Sequence, residues 1–495
     1  MKLCNLFPDI MMNEPEASVG VTGISADSRR IRPGMVFVAI KGHDHDGHDY
    51  IQAAIDNGAC AIIGEAALDG LSVPYLCSPQ LRYDYAFACA RFWPKRPAIQ
   101  IAITGTNGKT SVAEFVRQIW QRATWPAASI GTLGAKTAQS GQSLDTPHLA
   151  TSGLTTPGAE DLFRVIDELA RQSVRCIALE ASSHGIAQDR LAPLPIHVAG
   201  FTNLSRDHLD YHGTMDQYFK AKLRLFTHLL PDGGAAVINH DDPYGKKITK
   251  AIKDRPLVIK TIGASDGADL QIKDLKPRDY GFDSHIIYDG KSYQYPIALM
   301  GRFQAENAIL AALLAHLSGL SLHDALGALP HLQPIAGRMQ PVHGHPLNAR
   351  ILVDYAHTPD ALANALRLLR EETTGDLHVL FGCGGDRDAG KREMMGAQAL
   401  AFADHIYITD DNPRSEDPAA IRAAIMADKP EKFTEIANRK AAIQVAIDSL
   451  KEGDCLLIAG KGHETTQTVG HETLPFDDAA VARAALAFLP AKGGA

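Results

Sequence analysis

No apolar run in this chain approaches the roughly 18 residues that a membrane-spanning helix needs. The short apolar stretch behind Lys2 is broken by Pro8, Asp9 and Glu14 before a signal-peptide core could form. Both absences predict a cytoplasmic protein without membrane attachment. Cysteine is unpatterned: Cys4, Cys60, Cys77, Cys89, Cys176, Cys383 and Cys455 are odd in number and never spaced C-x-x-C, which reads as buried free thiols in a reducing compartment. There is no excess of positive charge either. With 49 basic and 57 acidic residues the formal charge is -8 at pH 7, so nothing draws the chain generally to nucleic acid or to anionic lipid. Any anionic ligand must be held by local sites. The sequence has no fixed-period repeat, no low-complexity tract, and no recognisable Ser-His-Asp or Cys-His arrangement of a nucleophilic enzyme.

What is present is a long, ordinary globular composition. The 495 residues are 45% hydrophobic and 21% charged. That length exceeds one hydrophobic core, and at about 100–200 residues per domain it suggests roughly three. Two stiff, Pro-containing breaks divide it, at Trp93-Pro94-Lys95-Arg96-Pro97 and between Leu329-Pro330 and Pro334-Ile335-Ala336-Gly337. The expected domains are therefore 1–97, 98–334 and 335–495. In the first, strands at 36–40 and 60–63 flank a helix at 50–57. In the second, strands at 98–103, 176–179, 198–201 and 235–238 alternate with helices, and in the third strands at 351–353, 378–381, 405–409 and 455–459 do the same. The fold class is α/β, with mainly parallel sheets covered by helices.

Chemistry first surfaces at Gly105-Thr106-Asn107-Gly108-Lys109-Thr110, between the strand at 98–103 and a helix at 111–120. Glycines let backbone N–H groups close on phosphate oxygens, the helix start adds positive potential, and Lys109 and Thr110 can meet a phosphate and Mg²⁺. The loop predicts ATP or GTP binding. It is shorter than a standard P-loop, which would need glycine where Ile103 stands. Two polar clusters follow later strands: Glu180-Ala181-Ser182-Ser183-His184, and Asn203-Leu204-Ser205-Arg206-Asp207-His208-Leu209-Asp210-Tyr211-His212. A hard oxygen ligand such as Glu180 suits Mg²⁺. In the last segment each strand runs into a polar cluster, and such clusters are expected along one rim, beyond the carboxyl ends of the strands.

Together with Asp27-Ser28-Arg29, Lys222, Asp354-Tyr355-Ala356-His357-Thr358-Pro359, Asp411-Asn412-Pro413-Arg414 and Gly460-Lys461-Gly462-His463-Glu464, these motifs resemble the Mur ligases, ATP-dependent amide-bond-forming enzymes of peptidoglycan precursor synthesis. The match extends over nearly the whole chain. It implies a small N-terminal α/β domain for the UDP-muramyl substrate, a central P-loop-type ATPase domain and a C-terminal Rossmann-like domain for the amino acid. Asp411-Asn412-Pro413-Arg414 resembles the motif of members that add meso-2,6-diaminopimelate to UDP-N-acetylmuramoyl-L-alanyl-D-glutamate through an acyl phosphate. Diaminopimelate differs from lysine by a carboxylate at its far end, which a guanidinium can grip.

The resemblance also implies roles. ATP would be held by Gly105, Thr106, Asn107, Gly108, Lys109, Thr110 and Ser111, with Asn307, Arg338, Asp354 and His357 approaching it. Thr110, Glu180, His208 and Lys222, the last as a carbamate, would be associated with Mg²⁺, and Lys109, Glu180, His208 and Lys222 form the catalytic set. Taken alone, Lys222 on an amphipathic helix reads as a solvated lysine. The muramyl dipeptide would meet Ser28, His43, Asp44, His45, Thr155, Thr156, Ser182, Gln188 and Arg190. The run 42–48 invites a metal reading, but no distant ligand pair supports one, and the resemblance assigns it to the uridine substrate. Diaminopimelate would meet Arg387, Asp411, Asn412, Pro413, Arg414, Gly460 and Glu464. Gln304 stands where relatives usually have Asn, and Leu154 precedes the Thr pair where a polar residue is common. The expected partners are these small molecules alone, with the chain a monomer whose domains close about the breaks near 97 and 335. Three rivals remain: a folylpolyglutamate synthetase, a lysine-adding Mur ligase, and a nucleotide-binding regulator without turnover.

Overall fold

The computed structural model describes residues 1–42, 45–137, 154–278, 281–470 and 472–489. It divides into two compact units, Met1–Gln271 with Leu310–Ala328, and Ile272–Ile309 with Leu329–Ala495.

The first unit carries two sheets. A four-stranded parallel sheet runs in the order Gly23–Ser25, Met35–Val38, Ala61–Gly64, Tyr75–Cys77, with the helix Ile51–Asp56 placed where the sequence predicts it. The second sheet orders its strands Val258–Gly263, Ala235–Asn239, Val198–Phe201, Ile99–Thr104, Cys176–Glu180, Ala127–Gly131 and Gly134–Thr137, all parallel but for the last hairpin. Cys176–Glu180 is buried along its whole length, as expected of a central strand covered on both faces. Its neighbour Ile99–Thr104 delivers the phosphate loop to the carboxyl edge of the sheet, and the helix Lys109–Arg122 leaves from it with Val112, Phe115, Val116, Ile119 and Trp120 buried. The two sheets share polar ties: Arg30 pairs with Glu160 and Asp161 at 3.1 Å each, Ser25 Oγ donates to Glu160 at 2.6 Å, and the Lys95 N–H donates to Asp167 at 2.7 Å.

The second unit is built on a sheet ordered Gln340–Pro341, Arg350–Asp354, Cys455–Ala459, Leu377–Phe381, His405–Ile408 and Thr434–Glu435, parallel except for its first strand. The helices Pro359–Glu372, Lys391–Phe402, Pro418–Met426 and Arg439–Asp448 separate its strands in sequence. An antiparallel hairpin, Gly281–Tyr288 with Lys291–Ile297, belongs to the same unit. Its turn is Asp289-Gly290, both residues at positive φ, 48° and 72°.

All seven cysteines are free; Cys89, Cys176, Cys383 and Cys455 are buried, while Cys77 is exposed. Among the described residues no helix is long and apolar enough to cross a membrane.

Candidate functional site

The phosphate loop is held from outside before any ligand arrives. The Thr106 N–H donates to Asn203 O at 2.8 Å and the Asn107 N–H to Asn203 Oδ1 at 3.0 Å, while Thr202 Oγ1 donates to Asn107 O at 2.6 Å. Gly108, at φ 84°, then turns into the helix in a left-handed conformation that costs a side-chain-bearing residue energy. Lys109 Nζ folds back on the carbonyls of Gly105 and Thr106, at 3.0 and 2.8 Å. Ser111, two residues further along the helix, is buried.

Glu180 ends the neighbouring strand with its carboxylate buried and heavily bonded. Thr110 Oγ1 donates to Oε2 at 2.9 Å, the Thr132 N–H to Oε1 at 2.7 Å, and Thr132 Oγ1 to Oε2 at 3.3 Å. Thr156 Oγ1 donates to the Glu180 carbonyl at 2.7 Å and accepts from the Ser182 N–H at 2.9 Å. Thr132 was not singled out by its sequence; only its place just past the strand Ala127–Gly131 marks it, under the same edge rule that marks Glu180. Thr110 and Glu180 thus bring hard oxygens together at the mouth of the loop, a donor set that fits Mg²⁺.

Lys222 is not the solvated lysine its helix suggests. It is 1% exposed, and Nζ donates to Gly105 O at 2.7 Å, 4.6 Å from the centre of the Tyr218 ring. Burial first, and then the charge of Lys109, push its pKa far below that of a free lysine. His208, in a left-handed backbone conformation (φ 52°), sits 3.4 Å from Asp207 through Nε2 and edge-on to His184, their ring centres 4.9 Å apart. His212 and Tyr211 complete this ring cluster. Burial lowers the pKa values of His184, His208 and His212, that of His184 to about 4, and so favours neutral rings.

Of the residues expected at the muramyl substrate, Thr155, Thr156 and Ser182 join the network around Glu180, and Gln188 and Arg190 are tied to it through the Thr156 carbonyl. Thr132 Oγ1 donates to Thr155 Oγ1 at 3.4 Å. Arg190 donates to the Thr156 carbonyl and to Gln188 Oε1, each at 2.6 Å, and burial pulls its pKa down to about 10. Ser182 Oγ is already engaged, capping the helix Ser183–Ala187. Ser28 lies on a short turn capped by Asp27, next to the Arg30 that pairs with Glu160, four residues beyond Thr156. The His45 carbonyl accepts from the Gly42 N–H at 2.8 Å. His43 and Asp44 lie outside the described residues.

In the second unit Asp354, His357, Arg387, Asp411, Asn412, Arg414, Gly460 and Glu464 lie at or just beyond the carboxyl ends of its strands. Asp354 accepts from the Met339 N–H at 2.7 Å; burial raises its pKa, opposed by Arg338, whose guanidinium lies 4.7 Å from the Tyr355 ring centre. His357 is exposed, with Nδ1 2.8 Å from the Tyr355 carbonyl. Asn307 is buried on the helix Arg302–Leu317, and Gln304, one turn earlier, donates to the Arg338 carbonyl at 3.4 Å.

Around Asn412 the bonding is denser. Its Nδ2 donates to Glu464 Oε2 at 2.8 Å, and its Oδ1 accepts from Lys461 Nζ at 3.1 Å and the Thr468 N–H at 3.0 Å. Lys461, fully buried, also lies 3.2 Å from Glu464 and 3.8 Å from Asp411. Burial raises the Asp411 pKa against the pull of Arg439 and Lys461. Arg439 pairs with Asp478 through two hydrogen bonds of 2.7 Å, both side chains fully buried; nothing in their sequence neighbourhoods marked either. Gly460 turns the chain beside Asp411. Past Pro413, Arg414 Nη1 donates to Gly385 O at 2.6 Å. A Cβ at Gly384 would stand 3.0 Å from Arg414 Nη1 and 3.9 Å from Arg387 Cγ, so the glycine leaves room for both arginines.

Comparisons with known proteins agree over nearly the whole length. The chain matches the Mur ligase family catalytic domain at residues 20–92, the Mur ligase middle domain at 103–315, and the Mur ligase glutamate ligase domain at 337–462. It is 48% identical to the UDP-N-acetylmuramoyl-L-alanyl-D-glutamate--2,6-diaminopimelate ligase of Bradyrhizobium diazoefficiens, over 98% of this chain and 99% of that one. The protein of the same name from Caulobacter vibrioides is 45% identical, over 95% and 96%. A solved structure of a ligase of that name, 33% identical, superposes with a TM-score of 0.70 over 98% of this chain and 99% of that one. The ADP complex of the MurF ligase from Thermotoga maritima, 18% identical with a TM-score of 0.60 over 90% and 94%, shares the fold. An ATP-dependent ligase architecture of three α/β domains follows, and the chain belongs to the Mur ligase family.

Proposed function

We infer that this chain is a cytoplasmic, Mg²⁺-dependent ligase that joins meso-2,6-diaminopimelate to the D-glutamate of UDP-N-acetylmuramoyl-L-alanyl-D-glutamate, with ATP converted to ADP and phosphate. The observation that carries the reading is the buried Thr110–Glu180 pair, 2.9 Å apart, at the mouth of a phosphate loop. It sets a hard-oxygen donor pair beside loop N–H groups and Lys109. The substrate is the one for which the relatives are named, and Arg387 and Arg414 about Gly384 supply groups suited to the far carboxylate of diaminopimelate.

The reaction is acyl activation followed by aminolysis. The D-glutamate carboxylate oxygen attacks the γ-phosphorus and ADP leaves; the diaminopimelate amine then attacks the acyl carbon, loses a proton, and phosphate leaves. The chain's contribution is positioning and charge neutralisation rather than a nucleophile. Lys109, released from the Gly105 and Thr106 carbonyls, would meet the β- and γ-phosphates. Thr110, Glu180, His208 and a carbamylated Lys222 would hold Mg²⁺, which when bound neutralises phosphate charge. A neutral amine is the form that can attack CO₂, and burial favours that form of Lys222; the carbamic acid so formed would lose a proton to give an anion able to support the ion. Thr155, Thr156, Gln188 and Arg190 would orient the muramyl dipeptide, with Ser28 and the 43–45 loop at its uridine end. Asp411, Asn412, Gly460 and Glu464 would fix the amino-acid end of diaminopimelate, while Asn307, Arg338, Asp354 and His357 would serve ATP.

Mass spectrometry of the product tests the reading. With all three substrates the UDP-muramyl dipeptide should gain the mass of diaminopimelate less one water, with one ADP formed per product. ADP formation without that product would overturn it.

A further inference from the structure

The amino edge of the C-terminal sheet, opposite the edge that carries Asp354, Asp411 and Gly460, bears a second cluster that the ligase reaction does not use. Five-residue strands at about 3.3 Å per residue set the two edges roughly 16 Å apart. His378 and His405 are register partners on adjacent parallel strands, and their rings stack with centres 4.4 Å apart. Asp376 stands just before the strand of His378, and Asp454 just before the central strand Cys455–Ala459. Backbone bonds fix the Asp454 carboxylate, which accepts from the Asp376 N–H and the Lys451 N–H, each at 2.8 Å.

Two features point to a cation. One ligand atom from each of Asp376, His378 and His405 lies within 4.8 Å of the others. The Asp376 Oδ2 to His405 Nε2 edge is already 3.3 Å, and two ligands at zinc's usual bond lengths in a tetrahedron are about 3.4 Å apart. The second feature is the bonding of His378. Its side chain is 3% exposed, yet Nδ1 has no hydrogen-bond partner and Nε2 has only the long contact to Asp454 Oδ2 at 3.4 Å. A buried imidazole nitrogen left unbonded is costly, and an ion is a partner that relieves it. His405 and Asp376 are about half exposed, which gives an ion a way in and lets both side chains rotate to close the triangle.

We propose that Asp376, His378 and His405 form a binding site for a borderline divalent cation of the Zn²⁺ type, with Asp454 orienting the His378 ring and water filling the remaining position. Imidazole and carboxylate ligands select such ions over Mg²⁺. The site lies at the sheet edge opposite Asp354, Asp411 and Gly460, and on a different sheet from the phosphate loop.

The test is calorimetric titration of the full chain with Zn²⁺ in excess Mg²⁺, repeated with His405→Ala, Asp376→Asn and His208→Ala. The wild type should bind one equivalent tightly, and His405→Ala and Asp376→Asn should each weaken it by at least about tenfold, since even an outer partner of a metal ligand is worth 10–100-fold. His405→Ala should leave phosphate release by the ligase unchanged, and His208→Ala should leave the Zn²⁺ isotherm unchanged. The d–d band of bound Co²⁺ should follow the same pattern. Absence of binding in the wild type, or an isotherm that His208→Ala abolishes and His405→Ala does not, would overturn the proposal.

Discussion

Replacing Lys222 by Met separates a catalytic role from a structural one. The substitution keeps the length and volume of the side chain in a site that is 1% exposed, so packing is largely retained. It removes one hydrogen bond to Gly105 O, worth about 0.5–1.5 kcal/mol. That carbonyl keeps Lys109 Nζ as a donor at 3.0 Å, so it is not orphaned. Removal of an amine buried beside Lys109 offsets part of the loss. Stability should therefore change by less than about 1.5 kcal/mol, visible as a shift of a few degrees at most in thermal melting. Catalysis should suffer far more. Losing a preorganised charged group at the reacting centre costs about 2.7–4 kcal/mol, or 10²–10³ in kcat. Phosphate release under saturating substrates measures this, and short carboxylates such as formate should partly restore a Lys222→Ala variant. A Lys222→Met protein retaining kcat within about threefold, against the 10²–10³ expected, would refute the reasoning. So would a loss of activity that tracks a loss of fold.

Arg414→Ala should lower kcat/KM for diaminopimelate by about 10- to 150-fold, the worth of a charge-assisted hydrogen bond of about 1.5–3 kcal/mol, while KM for ATP holds; steady-state kinetics with each substrate varied will show it. His184 has a pKa of about 4 when folded against 6.5 when free, so between those values the unfolded chain binds a proton that the folded chain does not. Stability should fall as pH drops through that window, and urea melts of His184→Gln should show a shallower slope. Arg439→Met strands the buried Asp478 carboxylate and should cost about 3–5 kcal/mol in denaturant melts, with the double variant Arg439→Met/Asp478→Leu recovering most of it.

The strands were legible because parallel strands buried on both faces read as short continuous apolar runs; 198–201 and 455–459 coincide with the observed bounds. Glu180 and Asp411 were legible from the edge rule, since each follows such a run. Less legible was the hairpin Gly281–Tyr288 with Lys291–Ile297, which breaks the strand–helix alternation, although Asp289-Gly290 is the turn that marks it. The surroundings of individual side chains were least accessible. Lys222 lies on a helix with polar neighbours, and its burial follows from the approach of Gly105, 117 residues away in sequence. The Arg439–Asp478 pair and the His378–His405 stack likewise join residues that only the sheet order brings together.

Phosphate release from ATP in the presence of the UDP-muramyl dipeptide, comparing meso-diaminopimelate with L-lysine, separates the possible activities. Strong release is expected with diaminopimelate alone, with loss of most of that preference in Arg414→Ala. Release with lysine instead would keep the ligase and contradict the role given to Arg414; release with neither would contradict the ligase itself.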